Sequence, residues 1–197
     1  SWMAERMVQS LPKQKVKQGP PILDIAAKQG EFASALYRVY GEKIKNSVYS
    51  LPTSSLAYEF TRKVYALLGM PVGNVIEDYN SYDLIHSEKK DKLMQILQDI
   101  HPTIVIGNPP YQNNAVGEQK TYNEPIYNQF MDLSYGLSDV VEMIHPARFL
   151  SNAGSTPKAW NRKMLADTHL RIIDFQQPSQ NVFTDTEIKG GVAVSLR

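Results

Sequence analysis

The chain has 197 residues, of which 42% are hydrophobic and 21% charged, and its formal net charge is +1. This length suits one domain with a substantial core, and the composition is that of an ordinary globular protein. The sequence contains no apolar run long enough to predict a membrane span, and its N-terminus has no pattern that predicts a secretion signal. Cysteine is absent, which excludes disulfides, thiolate metal ligands and a cysteine nucleophile. We therefore expect a soluble cytoplasmic protein.

The first half of the chain alternates apolar runs with segments of helical periodicity. After a helical lead-in over residues 1–20, strands are predicted at 21–27, 47–51 and 75–77, with a helix at 31–40 between the first two. A longer helix is predicted to begin at Thr53 or Ser54, either of which can cap it, and to stop at Gly69. Its apolar residues at helical spacing are Leu56, Phe60, Val64 and Leu67.

The second half continues the alternation. Ser87 is predicted to open a charged helix, and the apolar residues that define its buried face are Leu93, Ile96, Leu97 and Ile100. A strand is predicted at residues 103–107, and the polar residues 112–122 are predicted to form a mobile loop. A helix is predicted to start at Asn123 with Pro125 and to continue to about residue 135. Further strands are predicted at 140–144, 170–175 and 191–196, the last two paired as a hairpin. The pattern predicts a doubly wound α/β sheet of about seven strands with an antiparallel last strand.

The strand at 103–107 ends in Asn108, Pro109, Pro110 and Tyr111, which combine an amide, a rigid turn and an aromatic ring. This run resembles the catalytic motif of S-adenosylmethionine-dependent amino-methyltransferases. The resemblance implies that the Asn108 side-chain oxygen and the Pro109 carbonyl accept hydrogen bonds from the target amino group. It also implies that Tyr111 stacks on the target base.

Residues 24–32, at the end of the first predicted strand, resemble the cofactor-binding motif of the same methyltransferases. Asp24, Ala26, Gly30 and Phe32 match that motif, whereas Lys28 stands where the family more often has a glycine. The resemblance implies S-adenosyl-L-methionine as the cofactor, with Asp24 and this loop beside its methionine part. The alternative is an ordinary strand–turn–helix corner.

The remaining cofactor contacts are less well marked. Such folds usually place a carboxylate after the second strand, on the ribose hydroxyls. Here the candidates are the neutral Ser50 or Thr53, and a neutral acceptor is a poorer partner than a carboxylate. After the third predicted strand, Asp78 is the candidate for the adenine of the cofactor, with turn capping as the alternative.

Two phenylalanines are candidates for the target-base pocket. Residues 144–150 resemble the segment that follows the fifth strand in this family, which implies that Phe149 helps to shape the pocket. Phe183, between the last two strands, is a candidate for the stacking wall opposite Tyr111, with plain packing as its alternative. We expect His145 to be structural, because methyl transfer to an amino group needs no strong base.

The resemblance implies a single methyltransferase catalytic domain over residues 1–197, from a DNA adenine-N6 methyltransferase of bacterial restriction–modification systems. DNA with a flipped adenine is the implied partner. Because the net charge is nearly zero, we expect a target-recognition domain outside this chain to supply much of the DNA affinity. Two alternatives stay open: transfer to an RNA base or a protein glutamine amide, and a non-catalytic interaction module that keeps the fold.

Overall fold

A six-stranded sheet forms the centre of the computed structural model, which describes residues 1–85, 87–113, 124–184 and 187–197. The strand order is β2-β1-β3-β4-β6-β5. The first four strands in this order run parallel, and β6 is antiparallel to both β4 and β5. The strands are β1 (Ile22–Ala27), β2 (Val48–Pro52), β3 (Ile104–Gly107), β4 (Val141–Pro146), β5 (Arg171–Gln176) and β6 (Val192–Leu196). The predicted α/β class and the predicted terminal hairpin are therefore confirmed.

Helices cover both faces of this sheet. They are α1 (Trp2–Ser10), α2 (Lys13–Lys17), α3 (Glu31–Tyr40), α4 (Ser55–Leu67), α5 (Lys90–Ile100), α6 (Tyr127–Leu137) and α7 (Lys158–Ala166). Helices α1, α3 and α4 pack in the core on one face, whereas α5, α6 and α7 pack in the core on the other. Among the helices of the described residues, none has the length and apolar character needed to cross a membrane.

The alternation of side chains along each strand divides the core between the two faces. Ile104 and Ile106 of β3 belong to the core under α1 and α3, and Val105 belongs to the core under α5 and α6. All three side chains are fully buried. A strand buried on both faces reads as a continuous apolar run, which is why its sequence predicted it.

The predicted third strand at residues 75–77 is wrong. Only Val75 pairs with the sheet, through an isolated parallel bridge to Ser50, and the Ile76 amide donates to the Ser50 carbonyl at 2.9 Å. Asp78 then adopts a positive φ of 65°, which turns the chain away before a ladder can form. The described residues therefore form a sheet of six strands, one fewer than predicted.

Helix α6 begins later than predicted. Pro125 pairs with Gln112 in an isolated antiparallel bridge, and the helix starts at Tyr127. The prediction that Asn123 helps to start this helix, and most of the predicted loop at 112–122, fall on residues 114–123, which lie outside the described residues.

Candidate active site

A cavity of about 180 Å³ opens at the carboxyl ends of β1 and β3. In the strand order, β2 lies on one side of β1 and β3 on the other, so the chain reverses its direction of winding at this point. Open α/β sheets bind ligands at such a switch point. The β1–α3 corner contributes four lining residues: Ala26, Lys28, Glu31 and Phe32. Asn108 lines the cavity from the end of β3, so both predicted motifs meet here.

The corner between β1 and α3 depends on a glycine. Gly30 has a φ of +71°, and a Cβ at this position would lie 3.1 Å from the side chain of Val64 on α4. The left-handed backbone and the close helix both favour glycine. Gly30 thus turns the chain into α3 and holds the loop at Lys28 over the cavity.

Asp24 lies beneath this loop rather than on the cavity surface. It is completely buried, and its Oδ1 accepts a hydrogen bond from the Ala26 amide at 3.1 Å. Its Oδ2 has no hydrogen-bond partner in the described part of the chain. Burial raises the pKa of this carboxyl to about 8, so proton uptake is favourable near neutral pH. The structure therefore indicates that Asp24 orders the backbone of the loop.

The turn after β3 is held close to β1. A Cβ at Gly107 would lie 2.9 Å from the Cγ2 of Ile25, so only glycine lets the two strand ends approach this closely. Pro109 and Pro110 are buried, whereas Asn108 is half-buried at the cavity. Within the described residues, neither the Asn108 side chain nor the Pro109 carbonyl forms a hydrogen bond. Both predicted acceptors are therefore available.

Two aromatic rings meet next to these acceptors. The centroid of Tyr111 lies 6.1 Å from that of Phe183 at an interplanar angle of 80°, and 6.3 Å from that of Tyr127 at 75°. Phe183 also lines the cavity. The structure thus brings Tyr111 and Phe183 together as the sequence predicted, but edge to face. A planar ring can stack between them only after Phe183 rotates.

Phe149, the other residue predicted for the target pocket, lies in the core. Its ring is fully buried, 4.9 Å from Trp160 and 5.2 Å from His145 between centroids. The 3₁₀ turn at Arg148–Ser151 directs the ring under α7. In this arrangement Phe149 has no surface for a substrate, and its ring packs 6.5 Å from that of Tyr127.

His145 is a structural residue, in agreement with the prediction. Its Nδ1 lies 3.0 Å from the Pro146 carbonyl and its Nε2 lies 2.9 Å from the Ser195 hydroxyl on β6. Since a carbonyl only accepts, Nδ1 donates and Nε2 accepts. Burial lowers the pKa of His145 to about 4, so the ring is neutral. It also stacks on Tyr127 at an interplanar angle of 8°.

The structure does not bring Ser50 or Asp78 to this cavity. Ser50 is completely buried, and its hydroxyl is paired with the hydroxyl of Tyr65 at 2.9 Å, so it presents no surface to a ligand. Asp78 is exposed at the turn after Val75, where its backbone carbonyl accepts from the Lys89 ammonium at 3.2 Å. The prediction that Ser50 contacts a ribose is inconsistent with these contacts.

Other lining residues were not predicted from the sequence. Met3 and Met7 of α1 form one wall of the cavity, and Glu31 contributes a carboxylate at its edge. An amphipathic N-terminal helix gives no sign in the sequence of which surface it covers. A glutamate in the first turn of a helix is common for electrostatic reasons, so its presence did not single out Glu31.

A second cavity, of about 330 Å³, lies at the opposite end of the sheet. It is lined by Thr103 and Asp139, which lie one and two residues before β3 and β4, together with Lys15 of α2. Parallel α/β sheets bind their ligands at the carboxyl ends of the strands. The smaller cavity is therefore the candidate active site, although the second one has the larger volume.

The sequence also matches a known family. The profile of the Eco57I restriction-modification methylase covers residues 38–183, about three quarters of the chain. The chain belongs to the Eco57I restriction-modification methylase family. The match includes Asn108–Tyr111 and ends at Phe183, but it begins after the β1–α3 corner. No curated protein matches the sequence.

Solved structures share the fold of this chain. The type I restriction-modification methyltransferase subunit from Streptococcus thermophilus has a TM-score of 0.67 and 16% identity, over 98% of this chain and 42% of that one. DrdV in its DNA complex has a TM-score of 0.61 and 16% identity, over 98% of this chain and 25% of that one. The O-methyltransferase from Bacillus cereus in complex with SAH (S-adenosylhomocysteine) has a TM-score of 0.55 and 10% identity, over 99% and 80%. The chain thus spans less than half the length of the first two proteins.

Proposed function

We propose that this methylase transfers the methyl group of S-adenosyl-L-methionine to the N6 amino group of adenine in DNA. The observation that carries the proposal is the position of Asn108. Its free amide lies at the rim of the same cavity that the β1–α3 corner lines. Methyl transfer requires the methyl donor on one side of the cavity and, on the other, a group that accepts hydrogen bonds from the target amino group.

The cavity fits one end of the donor. Sites that hold a whole small molecule usually exceed about 300 Å³, so a cavity of about 180 Å³ suits only part of it. Gly30 and Gly107 keep the backbone free of Cβ atoms at the β1–α3 corner and at the end of β3. Ala26, Lys28 and Glu31 would hold the methionine part, and the fold of the B. cereus enzyme, described with SAH, supports this placement.

The target side accounts for reactivity at an amino nitrogen. The adenine N6 lone pair is delocalised into the ring, so the free amino group is a weak nucleophile. Hydrogen bonds from N6 to Asn108 Oδ1 and the Pro109 carbonyl would favour a pyramidal nitrogen with an available lone pair. The two prolines hold these acceptors in place, so they need little reorganisation during transfer.

The chemistry divides between cofactor and protein. The bound donor supplies an electrophilic methyl group on a sulfonium. Transfer would form the N–C bond at the N6 lone pair as the C–S bond breaks, and the proton lost from N6 would pass to water. The neutral, fully bonded His145 is not needed as a base.

DNA as the partner is supported by the family and by the fold shared with DrdV, which is described in a DNA complex. A duplex substrate must present its adenine outside the stack, at a cost of about a few kcal/mol. Tyr111 and Phe183 are the rings that would receive the base once Phe183 rotates. Since the net charge is only +1, we infer that a target-recognition domain outside this chain provides further phosphate contacts.

The test follows tritium from the methyl donor. The protein is incubated with labelled S-adenosylmethionine and unmethylated DNA, the DNA is digested to nucleosides, and the labelled nucleoside is identified. We expect label in N6-methyladenine. Asn108→Ala should reduce the rate by about a hundredfold or more.

The matched control is Asn46→Ala, which truncates an exposed asparagine far from the cavity and should leave the rate unchanged. Label in methylated cytosine would show that cytosine and not adenine is the target. Label in added RNA or in a protein glutamine side chain would show that the target is not DNA. Unchanged transfer by Asn108→Ala would remove this residue from the mechanism. Absence of donor binding by calorimetry would favour a non-catalytic module.

A further inference from the structure

Two side chains of opposite charge line this otherwise mostly apolar cavity. Lys28 and Glu31 both line the cavity, and their neighbours there include Ala26, Phe32 and Ile144. Among the described lining residues, they are the two with ionisable side chains. Side chains of both signs in one cavity suit a ligand that carries both charges itself.

Lys28 has an unused ammonium group. Within the described residues it forms no hydrogen bond and no salt bridge. Surrounding protein atoms lower its pKa by desolvation, and the carboxylates of Glu31 and Asp24 oppose that shift. The residue is exposed to solvent, so its ammonium is accessible to a negatively charged ligand group.

Glu31 has one committed and one free oxygen. It is the first residue of α3, and its Oε2 accepts a hydrogen bond from the Gln29 amide at 3.0 Å. This bond fixes the side chain beside the loop without using Oε1. The carboxylate can therefore accept from a ligand ammonium without losing its contact to the backbone.

We propose that Lys28 and Glu31 form a site for the amino-acid end of the methyl donor, in which Lys28 binds the carboxylate and Glu31 binds the ammonium. The assignment rests on the proposed donor and adds the charge pair that recognises it. It also explains the presence of lysine in place of a glycine. A glycine would leave only backbone groups, whereas Lys28 adds a direct counterion for the carboxylate.

The experiment compares two ligands that differ only in this carboxylate. Binding of S-adenosylmethionine and of decarboxylated S-adenosylmethionine is measured by calorimetry for the wild-type protein and for Lys28→Met, which keeps the chain length but removes the charge. The wild type should prefer S-adenosylmethionine by about tenfold or more. In Lys28→Met this preference should fall to near one, with affinity for the decarboxylated ligand unchanged, and Lys28→Arg should restore it.

Glu31→Gln tests the other half of the site, since its amide oxygen still accepts from Gln29. It should weaken the binding of S-adenosylmethionine and of its decarboxylated form, which both carry the ammonium. Binding of 5′-methylthioadenosine, which lacks the amino-acid end, should not change. Lys43→Met, at an exposed lysine of the turn after α3, is the control.

The outcomes separate the two proposals. A wild type that prefers S-adenosylmethionine while Lys28→Met keeps the same preference overturns the charge-pair site and leaves the donor assignment intact. A wild type that binds none of the three ligands overturns both. Thermal unfolding of each variant identifies any loss of binding that follows from misfolding.

Discussion

Tyr111 and Phe183 meet edge to face, with ring centroids 6.1 Å apart at an angle of 80°, and Phe183 lines the same cavity as Asn108. The contact closes the space in which a base would stack. It also holds the Tyr111 ring in a fixed position, because Tyr127 packs against it from another side at 6.3 Å. In the proposed function, rotation of Phe183 would be the movement that opens the site for the base.

The hydroxyl of Tyr111 is buried and has no hydrogen-bond partner among the described residues. Burial accordingly raises the pKa of this phenol. We expect Tyr111→Phe to increase the free energy of unfolding by about 1 kcal/mol, because it removes a desolvated group that forms no bond. Methyl transfer should be retained, since the ring remains. Urea unfolding and the tritium assay measure the two effects.

Tyr111→Ala is the informative partner of this substitution. Loss of the ring removes base stacking worth about 1–3 kcal/mol, so the transfer rate at low DNA concentration should fall by about tenfold or more. If Tyr111→Phe reduces transfer as much as Tyr111→Ala does, the hydroxyl rather than the ring contacts the substrate.

The approach of β3 to β1 gives a second prediction. A Cβ at Gly107 would lie 2.9 Å from the side chain of Ile25, which is fully buried. We expect Gly107→Ala to lower the free energy of unfolding by about 1–3 kcal/mol, because one strand end must move. Movement at this point also displaces Asn108, so the transfer rate should fall more than stability alone predicts.

The control for Gly107→Ala is Gly73→Ala. A Cβ at Gly73 meets no atom within 4 Å, and no positive φ constrains this residue. Its unfolding free energy should stay within about 0.5 kcal/mol of the wild type. Equal effects of the two substitutions would show that close packing does not select glycine at position 107.

Ser50 and Tyr65 provide a third prediction, about a residue that the sequence placed at the cofactor. Their hydroxyls lie 2.9 Å apart in the core. Ser50→Ala leaves the Tyr65 hydroxyl buried without this partner, so unfolding should become easier by about 1–3 kcal/mol. Adding Tyr65→Phe should recover part of that loss, because the unpaired hydroxyl is then gone. Urea unfolding of the single and double variants gives the coupling free energy between the two hydroxyls.

Donor binding decides between a structural and a ribose-binding Ser50. We expect Ser50→Ala and the wild type to bind S-adenosylmethionine with the same affinity when measured by calorimetry. A clear loss of donor affinity without a change in stability would restore Ser50 to the cofactor site.

Strand β3 and the turn at Asn108 could be predicted from the sequence because each depends on local chemistry. β3 is a continuous apolar run, and the two prolines that follow it fix the turn whatever surrounds it. Gly30 was predictable for the same reason, since its positive φ is a local requirement.

The surface of α4 was not predictable in this way. Its apolar residues at helical spacing include Leu56, Phe60 and Leu67, which are 66%, 47% and 86% exposed. The buried face instead carries Thr61 and Tyr65. Helical spacing identifies the helix, but the face turned inward depends on how the helix sits on the sheet.

The prediction that Phe149 lines the target-base pocket was wrong for a related reason. A motif gives the order of residues along the chain and not the direction of each ring. The 3₁₀ turn directs Phe149 into the cluster with Trp160. Glu31 was missed because it resembles any acidic residue at a helix start, and only the cavity distinguishes it.

Glu142 of β4 gives a pH-dependent prediction, because it places a carboxyl in the core next to α1. It is completely buried, its Oε1 accepts from the Ser10 hydroxyl at 2.7 Å, and its Oε2 has no partner in the described part of the chain. Burial raises its pKa to about 8, from an ordinary value of 4.5. The folded protein therefore holds this proton more tightly than the unfolded chain does.

The sign of the effect follows from linkage. Stability from a raised pKa is fully present below about pH 4.5, decreases as the pH rises, and is lost above about pH 8. Glu142→Gln cannot ionise, and its amide oxygen can still accept from Ser10. We expect it to raise the free energy of unfolding at pH 9 by about 2 kcal/mol, since each pKa unit corresponds to about 1.4 kcal/mol and buried sites relax.

Urea unfolding at pH 5 and pH 9 measures this difference. Asp24 also has a raised pKa, so the variant should lose only part of the pH dependence of the wild type. Glu59→Gln, at an exposed glutamate on α4, is the control and should change neither value by more than about 0.5 kcal/mol. A Glu142→Gln variant as pH-sensitive as the wild type would show that Glu142 is hydrated or paired, and that the Ser10 contact does not anchor α1 to a neutral carboxyl.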